Sequence, residues 1–101
     1  MVRLRWMPQA LDDLDAIAAY ISEDSSRRAD SFIKEIIKTS DLLRSFPLSG
    51  RVIPELHDPS LRELIHGKYR IMYEYYEDEA MIEIHTVIHG ARIFDRSLFF
   101  D

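Results

Sequence analysis

The sequence predicts an α+β fold with the element order β-α-α-β-β-β, in which an antiparallel helical hairpin packs on one face of a small, mainly antiparallel sheet. Apolar residues recur every three or four positions in the N-terminal half, which is the period of a helix buried on one side. In the C-terminal half they alternate every second residue, as in strands. Pro47, Gly50 and Pro54 separate the two patterns and end the helical half.

The N-terminal half is predicted to form one strand and two helices. Apolar and basic residues alternate over residues 2–6, which suits a half-buried strand. Pro8 can begin a helix, because the first helical position does not need its N–H, and the apolar stripe predicts a helix over residues 8–22. The stretch SEDSS supplies N-caps for a second helix, whose apolar stripe covers residues 29–43. The short connection predicts an antiparallel hairpin.

The C-terminal half is predicted to form three strands. A short strand is expected over residues 61–66, and longer ones over 69–76 and 81–89, with the acidic turn 77–79 closing a hairpin between the last two. Because side chains alternate between the faces of a sheet, one apolar face should lie under the helices. That face is expected to carry Tyr69, Ile71, Tyr73, Ile82, Ile84 and Ile88.

The opposite, open face is expected to carry four polar side chains, namely Arg70, Glu74, His85 and His89. Arg92 is expected just past the end of the last strand, and Arg62 on the strand that precedes Arg70. Guanidinium groups bind phosphates and carboxylates in a bidentate manner, so Arg62, Arg70 and Arg92 are candidate anion-binding residues. Arginine with histidine is also the minimum equipment for stabilising a phosphorane and moving a proton during RNA cleavage. On that interpretation Arg70, Arg92, His89 and His85 are the catalytic candidates.

A plainer interpretation of the same residues stays open. Charged side chains on the solvent face of a sheet follow from binary patterning alone, and a cross-strand pair is reason enough for Arg70 and Glu74. No metal site is expected, because His85 and His89 would lie about 13 Å apart along a strand. No cofactor is expected either, since there is no phosphate-binding glycine loop.

The amino-acid composition limits the classes of protein to which this chain can belong. With 101 residues, 47% of them hydrophobic, the chain is expected to form one globular domain over residues 1–101. The absence of cysteine excludes disulfides and thiolate metal sites. No membrane association is expected, because no apolar run is long enough to span a bilayer and the N-terminus lacks the features of a signal peptide, so the expected location is the cytoplasm. The net charge of −5 counts against nonspecific nucleic-acid binding.

Three stretches, FPLSGR, KYRIMYEY and VIHGAR, follow two helices in this order, and with them the chain resembles the RelE/ParE superfamily of toxins from bacterial type II toxin–antitoxin modules. The similarity runs nearly end to end. It implies a compact toxin domain that a cognate antitoxin holds inactive, with operator DNA contacted only through the antitoxin. It also implies one of two targets: the ribosome and its mRNA, which RelE-like endonucleases cleave, or DNA gyrase, which ParE-like proteins inhibit without being enzymes.

The resemblance assigns some residues and leaves others unmatched. Arg70 matches the strand arginine of the endonucleases, and Arg92 matches the arginine after their last strand. The lysines frequent on the preceding strand fall on Leu61 and Glu63. The tail after Arg92 contains no tyrosine, so a candidate base is missing unless His89 or His85 takes its place.

Because the VIHGAR ending is closer to ParE-like proteins, the expectation is a ParE-like inhibitor of DNA gyrase of the plasmid-stabilisation type. A RelE-like mRNA endoribonuclease is the alternative, and an inactive domain that only binds its antitoxin is the second alternative. The antitoxin is expected to pair with the apolar helix surface or a sheet edge, and to cover part of the arginine face.

Overall fold

The computed structural model describes residues 1–92 and 96–100. The predicted fold class is confirmed, and the predicted helices and strands occur in the predicted order, with one further strand, β2 (Arg51–Val52), before the last three. Within the described residues the strands form one sheet in the order β1-β5-β4-β3-β2, with β1 parallel to β5 and the other pairs antiparallel. The elements are β1 (Arg3–Trp6), α1 (Pro8–Ser22), α2 (Ser26–Asp41), β2 (Arg51–Val52), β3 (Leu61–His66), β4 (Tyr69–Tyr76) and β5 (Met81–His89).

The two helices begin where the sequence indicates. Pro8 is the first residue of α1, and Ser25 caps α2 by accepting a hydrogen bond of 3.1 Å from the backbone N–H of Arg28. Such a cap contributes about 1 kcal/mol to helix stability. None of the helices in the described part of the chain is long and apolar enough to cross a membrane.

Strand β2 is the element that the sequence pattern did not predict. It is two residues long, and it pairs with β3 at the edge of the sheet, where Arg51 lies opposite Glu63 and Val52 opposite Arg62. So short a strand has no recognisable periodicity of its own. Its position is set by the partner strand, because the ladder and the side chains of β3 hold it there.

A β-bulge at His85 changes which residues of β5 face the helices. Tyr73 pairs with Ile84 while Met72 pairs with Thr86, so His85 has no residue opposite it. One extra residue moves every later side chain of the strand to the other face. Because Arg70 then lies opposite Ile88, the predicted placement of Ile88 under the helices is wrong.

His89 changes face for the same reason. It pairs with Tyr69, and the two rings are 5.5 Å apart in an edge-on arrangement. Tyr69 packs on the core beneath the helices. The prediction that His89 lies on the open face with Arg70 is therefore wrong, and Val87 takes the buried position under the helices that was expected for Ile88.

Asp13 of α1 stabilises the bulge. Its Oδ2 accepts hydrogen bonds from the hydroxyl of Thr86 and, at 3.0 Å, from the backbone N–H of Val87. A bulge interrupts the ladder and leaves backbone groups without a strand partner, and buried groups of this kind need another acceptor. A carboxylate from the covering helix meets that need and ties α1 to β5.

The sheet is buried on both faces. The larger core lies under the helices, and its fully buried side chains include Ala10, Ile36, Leu43, Ile71, Tyr73, Ile82 and Ile84. A second, smaller core lies on the face predicted to be open, and is made of Ile53, Leu61, Met72 and Ile88. Leu56 and Phe99 pack against it. The prediction of a wholly open face is wrong, because the loop before β3 and the C-terminal segment cover part of it.

The stretch FPLSGR packs against Tyr73 at the edge of the larger core. The hydroxyl of the buried Tyr73 accepts a 3.0 Å hydrogen bond from the backbone N–H of Gly50 and donates one of 2.8 Å to the carbonyl of Pro47. A Cβ on Gly50 would lie 2.6 Å from both the Tyr73 hydroxyl and the carbonyl oxygen of Glu63. The glycine is therefore required by close packing.

We expect Gly50→Ala to destabilise the protein by about 1–3 kcal/mol, the usual cost of overpacking a well-packed site. The added methyl group must displace either the phenol of Tyr73 or the backbone at Glu63. Urea unfolding measures the loss. Gly90→Ala is the matched control, because its Cβ would lie 3.3 Å from the carbonyl of Lys68 and should cost less. Equal losses in the two variants would contradict the packing argument.

Candidate functional site

Arg70 of β4 is buried between two carboxylates. Its side chain is 9% exposed, and its Nε donates a 2.7 Å hydrogen bond to Oε1 of Glu63 on β3. Its Nη1 and Nη2 donate to the two carboxylate oxygens of Glu55, at 2.9 and 2.7 Å. Guanidinium–carboxylate pairs of this bidentate form are among the strongest hydrogen-bonded contacts in proteins. The predicted anion-binding arginine therefore holds anions of its own chain.

The same pairing extends to β2. The Glu63 side chain is fully buried, and its Oε2 accepts a 2.6 Å hydrogen bond from Nε of Arg51. We refer to Arg51, Glu55, Glu63 and Arg70 as the Arg70 network. Its two guanidinium groups and two carboxylates carry formal charges that cancel. A buried carboxylate without such partners would be strongly destabilising.

Protonation states in the network follow from these contacts. The hydrogen bonds from Arg70 lower the pKa of Glu55 below its ordinary value, against a smaller opposing effect of burial. The same hydrogen bonds to Glu55 raise the pKa of Arg70 further, although burial opposes this. At neutral pH the Glu55 carboxylate is therefore anionic and the Arg70 guanidinium cationic, and each is stabilised by the other.

A second polar group on this face surrounds His85, and we call it the His85 cluster: Arg5, Glu74, Tyr76, Glu83 and His85. Nε2 of His85 lies 3.2 Å from Oε1 of Glu74, and the hydroxyl of Tyr76 lies 2.8 Å from that oxygen and 3.1 Å from Oε1 of Glu83. Burial raises the pKa of Tyr76, and so favours the protonated hydroxyl that donates to these carboxylates. Arg5 pairs with Glu83.

The His85 cluster has the groups that proton transfer needs, but it is partly covered. A histidine in contact with a carboxylate can act as a general acid or base. Glu74 lies directly opposite Glu83, a repulsive arrangement that the Arg5 guanidinium offsets. The ring of Phe99 lies 4.9 Å from the His85 ring, centroid to centroid. Ile88 and Met72, from the apolar core of this face, occupy strand positions between Arg70 and His85.

Arg62 is engaged with backbone carbonyls. Its Nε donates to the carbonyl of Pro59 at 2.8 Å, and its Nη1 donates to the carbonyl of Gly50 at 3.0 Å. Its partner on β4 is Tyr73, whose side chain lies in the larger core. Arg62 therefore holds the loops on either side of β2 together. Its role in anion binding stays a prediction, and these carbonyls occupy the donors that such a role requires.

His89 and Arg92 lie together at the far end of the sheet. The backbone N–H of Arg92 donates to the carbonyl of His89 at 3.0 Å, and Nδ1 of His89 accepts a 3.1 Å hydrogen bond from the backbone N–H of Ala91. Both side chains line a groove of about 450 Å³ against Ile17 and Tyr20 of α1. His85 lines neither this groove nor the one beside the Arg70 network, so the predicted catalytic residues do not all meet at one place.

A second groove, of about 420 Å³, brings one end of β5 near the Arg70 network. Arg51, Glu55 and Arg70 line it, together with His89 and Lys68. Lys68, in the turn between β3 and β4, has no ion-pair partner within residues 1–92 and 96–100. In the same part of the chain, no group of three or more histidine or acidic side chains is placed to hold a metal ion.

Sequence reasoning assigned none of the hydrogen-bonding roles described above to Arg51, Glu55, Glu63 or Asp13. The sequence did contain an indication for Glu63, because it alternates with Leu61 and Ile65 on the same face of β3. An acidic residue among apolar residues of one strand face is expected to be buried, and a buried carboxylate needs a cation beside it. Glu55 follows Pro54 in a loop, and Asp13 lies among other acidic residues of α1. Neither carried a pattern that distinguished it from a solvated carboxylate.

Comparison with known proteins identifies a family and structures of the same fold. Residues 4–94 match the family described as ParE toxin of type II toxin–antitoxin system, parDE. The chain is 37% identical over 90 residues to the putative toxin Y4kP of Sinorhizobium fredii, an alignment that covers 87% of this chain and 88% of that one. It is 30% identical over 93 residues to Toxin RelE2 of Caulobacter vibrioides, covering 92% and 100%.

A solved structure of the chromosomal ParDE toxin–antitoxin system from P. aeruginosa has the same fold, with a TM-score of 0.71. It is 22% identical to this chain, and the alignment covers 88% of this chain and 96% of that one. The family match spans the helical hairpin, strands β2 to β5, all of β1 except Arg3, and the Arg70 network. The protein belongs to the ParE family of type II toxin–antitoxin toxins within the RelE/ParE superfamily.

Proposed function

We propose that the protein is the toxin of a type II toxin–antitoxin module, that it inhibits DNA gyrase, and that a cognate antitoxin neutralises it. The observation that carries the choice of target is the engagement of Arg70 with Glu55 and Glu63. An arginine that stabilises a cleavage transition state must direct its donors at the phosphate. All three nitrogens of this guanidinium donate to carboxylates of the same chain, which favours inhibition by binding over RNA cleavage.

The charge of the chain supports the same target. A net charge of −5 disfavours a long electrostatic contact with RNA, whose affinity depends on neutralising phosphates. The open face carries Glu74 and Glu83 side by side, which makes this part of the sheet a poor surface for a phosphate backbone. A protein target such as gyrase imposes no such requirement. The description of the matched family names the ParE toxin.

The helical hairpin offers a surface for the antitoxin. Three of its large apolar side chains are exposed, namely Leu11, Tyr20 and Ile37, and so is Leu42 directly after α2. An amphipathic segment of a partner can cover such side chains, as helix-in-groove complexes do. We propose that the antitoxin binds there or at a sheet edge, that operator DNA is contacted only through it, and that the toxin acts in the cytoplasm, where gyrase is.

We expect the purified protein to inhibit the supercoiling activity of DNA gyrase, and a stoichiometric amount of its antitoxin to reverse the inhibition. A gel assay of plasmid supercoiling over a range of toxin-to-gyrase ratios measures both effects. An antitoxin added first should prevent inhibition, because it competes for the toxin. Unchanged supercoiling at a large molar excess of correctly folded toxin would contradict gyrase as the target.

The His85 cluster favours a second candidate function, ribosome-dependent cleavage of mRNA. Its histidine, carboxylate and tyrosine are groups that can move protons in hydrolysis, and Toxin RelE2 is a relative by sequence. This candidate needs a cation at the scissile phosphate, which the Arg70 network does not supply while Glu55 is bound.

His85→Gln separates the two candidates. If mRNA is the target, the variant should lose at least about 100-fold in cleavage, the usual contribution of a general acid or base, and toxicity should fall with it. Because we propose gyrase, we expect toxicity to persist in the variant and no cuts within codons in either protein. Growth after induction and primer extension on total mRNA measure these outcomes. Expression without any growth effect would instead indicate a domain that only binds its antitoxin.

A further inference from the structure

Glu55 binds the outer end of the Arg70 guanidinium as an external ligand would. Each of its carboxylate oxygens accepts from one Nη nitrogen, while Nε is bound separately by Glu63. The two acidic partners differ in setting. Glu63 lies within β3 and is fully buried, whereas the Glu55 side chain is 40% exposed and belongs to a loop. Glu55 is therefore the partner that solvent and a competing anion can reach.

The charges of the Arg70 network would not balance without Glu55. Arg51 and Arg70 contribute two positive charges, and Glu63 alone contributes one negative charge. Removing Glu55 from contact takes two charge-assisted hydrogen bonds from a guanidinium that is largely buried, which is costly unless another anion makes them. Lys68, on the rim of the adjacent 420 Å³ groove, adds a second cation beside the approach to this position.

The loop that carries Glu55 is anchored through Ile53, whose side chain is fully buried and whose backbone N–H donates a 3.0 Å hydrogen bond to the carbonyl of Leu61. The backbone N–H groups of Leu56 and His57 donate to the carbonyl of Ile53, at 3.1 and 3.3 Å, so residues 53–57 form one compact turn. His57 has a φ of 55°, a left-handed conformation that costs a residue with a side chain about 1 kcal/mol. Arg96 donates a 3.1 Å hydrogen bond to the Glu55 carbonyl. Of these hydrogen bonds, only the one from Ile53 reaches a strand of the sheet.

We propose that Glu55 is an exchangeable internal ligand of an oxyanion site centred on Arg70, and that a carboxylate from outside the chain replaces it when the partly exposed Glu55 side chain turns away, while Ile53 stays in the core. A carboxylate is favoured because the existing contact is planar and uses two oxygens, one on each Nη. The inference goes beyond the choice of target, since it concerns the occupancy of Arg70 and not what the toxin inhibits.

Removal of the internal ligand should open the site to a small carboxylate. Acetate is the probe, titrated against chloride at constant ionic strength and followed by the NMR signals of the Arg70 Nε–H and the backbone amides of residues 51–55. We expect Glu55→Ala to bind acetate at least about tenfold more tightly than the unsubstituted protein, because acetate can then accept the charge-assisted hydrogen bonds that Arg70 otherwise donates to Glu55. Glu77→Ala is the control, since it removes the same charge from an exposed turn.

Two outcomes would overturn the proposal. One is an equal acetate affinity in Glu55→Ala, Glu77→Ala and the unsubstituted protein. The other is an acetate response that leaves the Arg70 Nε–H signal unchanged. A parallel titration with sulfate tests the ligand class, and tighter binding of sulfate than of acetate would contradict the assignment to carboxylates.

If Glu55→Ala lowers the stability of the protein, the unfolding temperature can be used to test the site. A ligand that binds only the folded state raises the unfolding temperature, so acetate should raise it in Glu55→Ala more than chloride does, and should not do so in Glu77→Ala. An unfolding temperature of Glu55→Ala that responds equally to both anions would contradict the site. Glu55→Gln keeps the shape of the side chain and should give a smaller response of the same sign, because its amide still occupies the space.

The pH dependence offers a separate check. The folded-state pKa of Glu55 is lowered from 4.5, so its contribution to stability is present above pH 4.5 and is lost as the pH falls through the lower folded value. The difference in free energy of unfolding between the unsubstituted protein and Glu55→Gln should therefore shrink below pH 4.5. A difference that stays constant down to the acid unfolding transition would show that Glu55 is not held by Arg70 in solution.

Discussion

The carboxylate of Glu63 has no contact with solvent, and the need to neutralise it inside the protein organises much of the structure. Arg70 reaches it from β4 and Arg51 reaches it from β2, so one buried charge joins three strands. The short edge strand β2 lies where it does partly because Arg51 is opposite Glu63. A buried carboxylate without partners would destabilise the protein. The burial of Glu63 is therefore tolerated only while its guanidinium partners are in place.

This constraint also decides the chemistry available to the sheet. A guanidinium that belongs to a buried ion network is held in a fixed orientation, but its N–H groups already donate hydrogen bonds within that network. Arg70 therefore combines the position of an anion-binding residue with the contacts of a structural one. Whether it acts on a ligand depends on Glu55, which is the one acidic member of the network that lies outside the sheet and is partly exposed.

The β-bulge at His85 separates the two histidines of β5. Without it, His85 and His89 would point to the same face, as a regular alternation requires. With it, His85 joins Glu74 and Tyr76 on one face, while His89 contacts Tyr69 on the other. The bulge is supported by the Asp13 carboxylate of α1, and the division of polar residues between the two faces therefore depends on how a helix packs on the sheet.

The sequence by itself determined the helices, the long strands and their order, because hydrophobic periodicity, the proline at the start of α1 and the serine cap of α2 are local properties of the chain. It also determined the family, through motifs that lie along nearly the whole length. Only the tertiary structure decided the register of β5 and the role of Arg70. Both depend on carboxylates distant in sequence, Asp13 in one case and Glu55 and Glu63 in the other. Hydrogen bonding between distant residues leaves no periodic pattern, so it becomes visible only when the chain has folded.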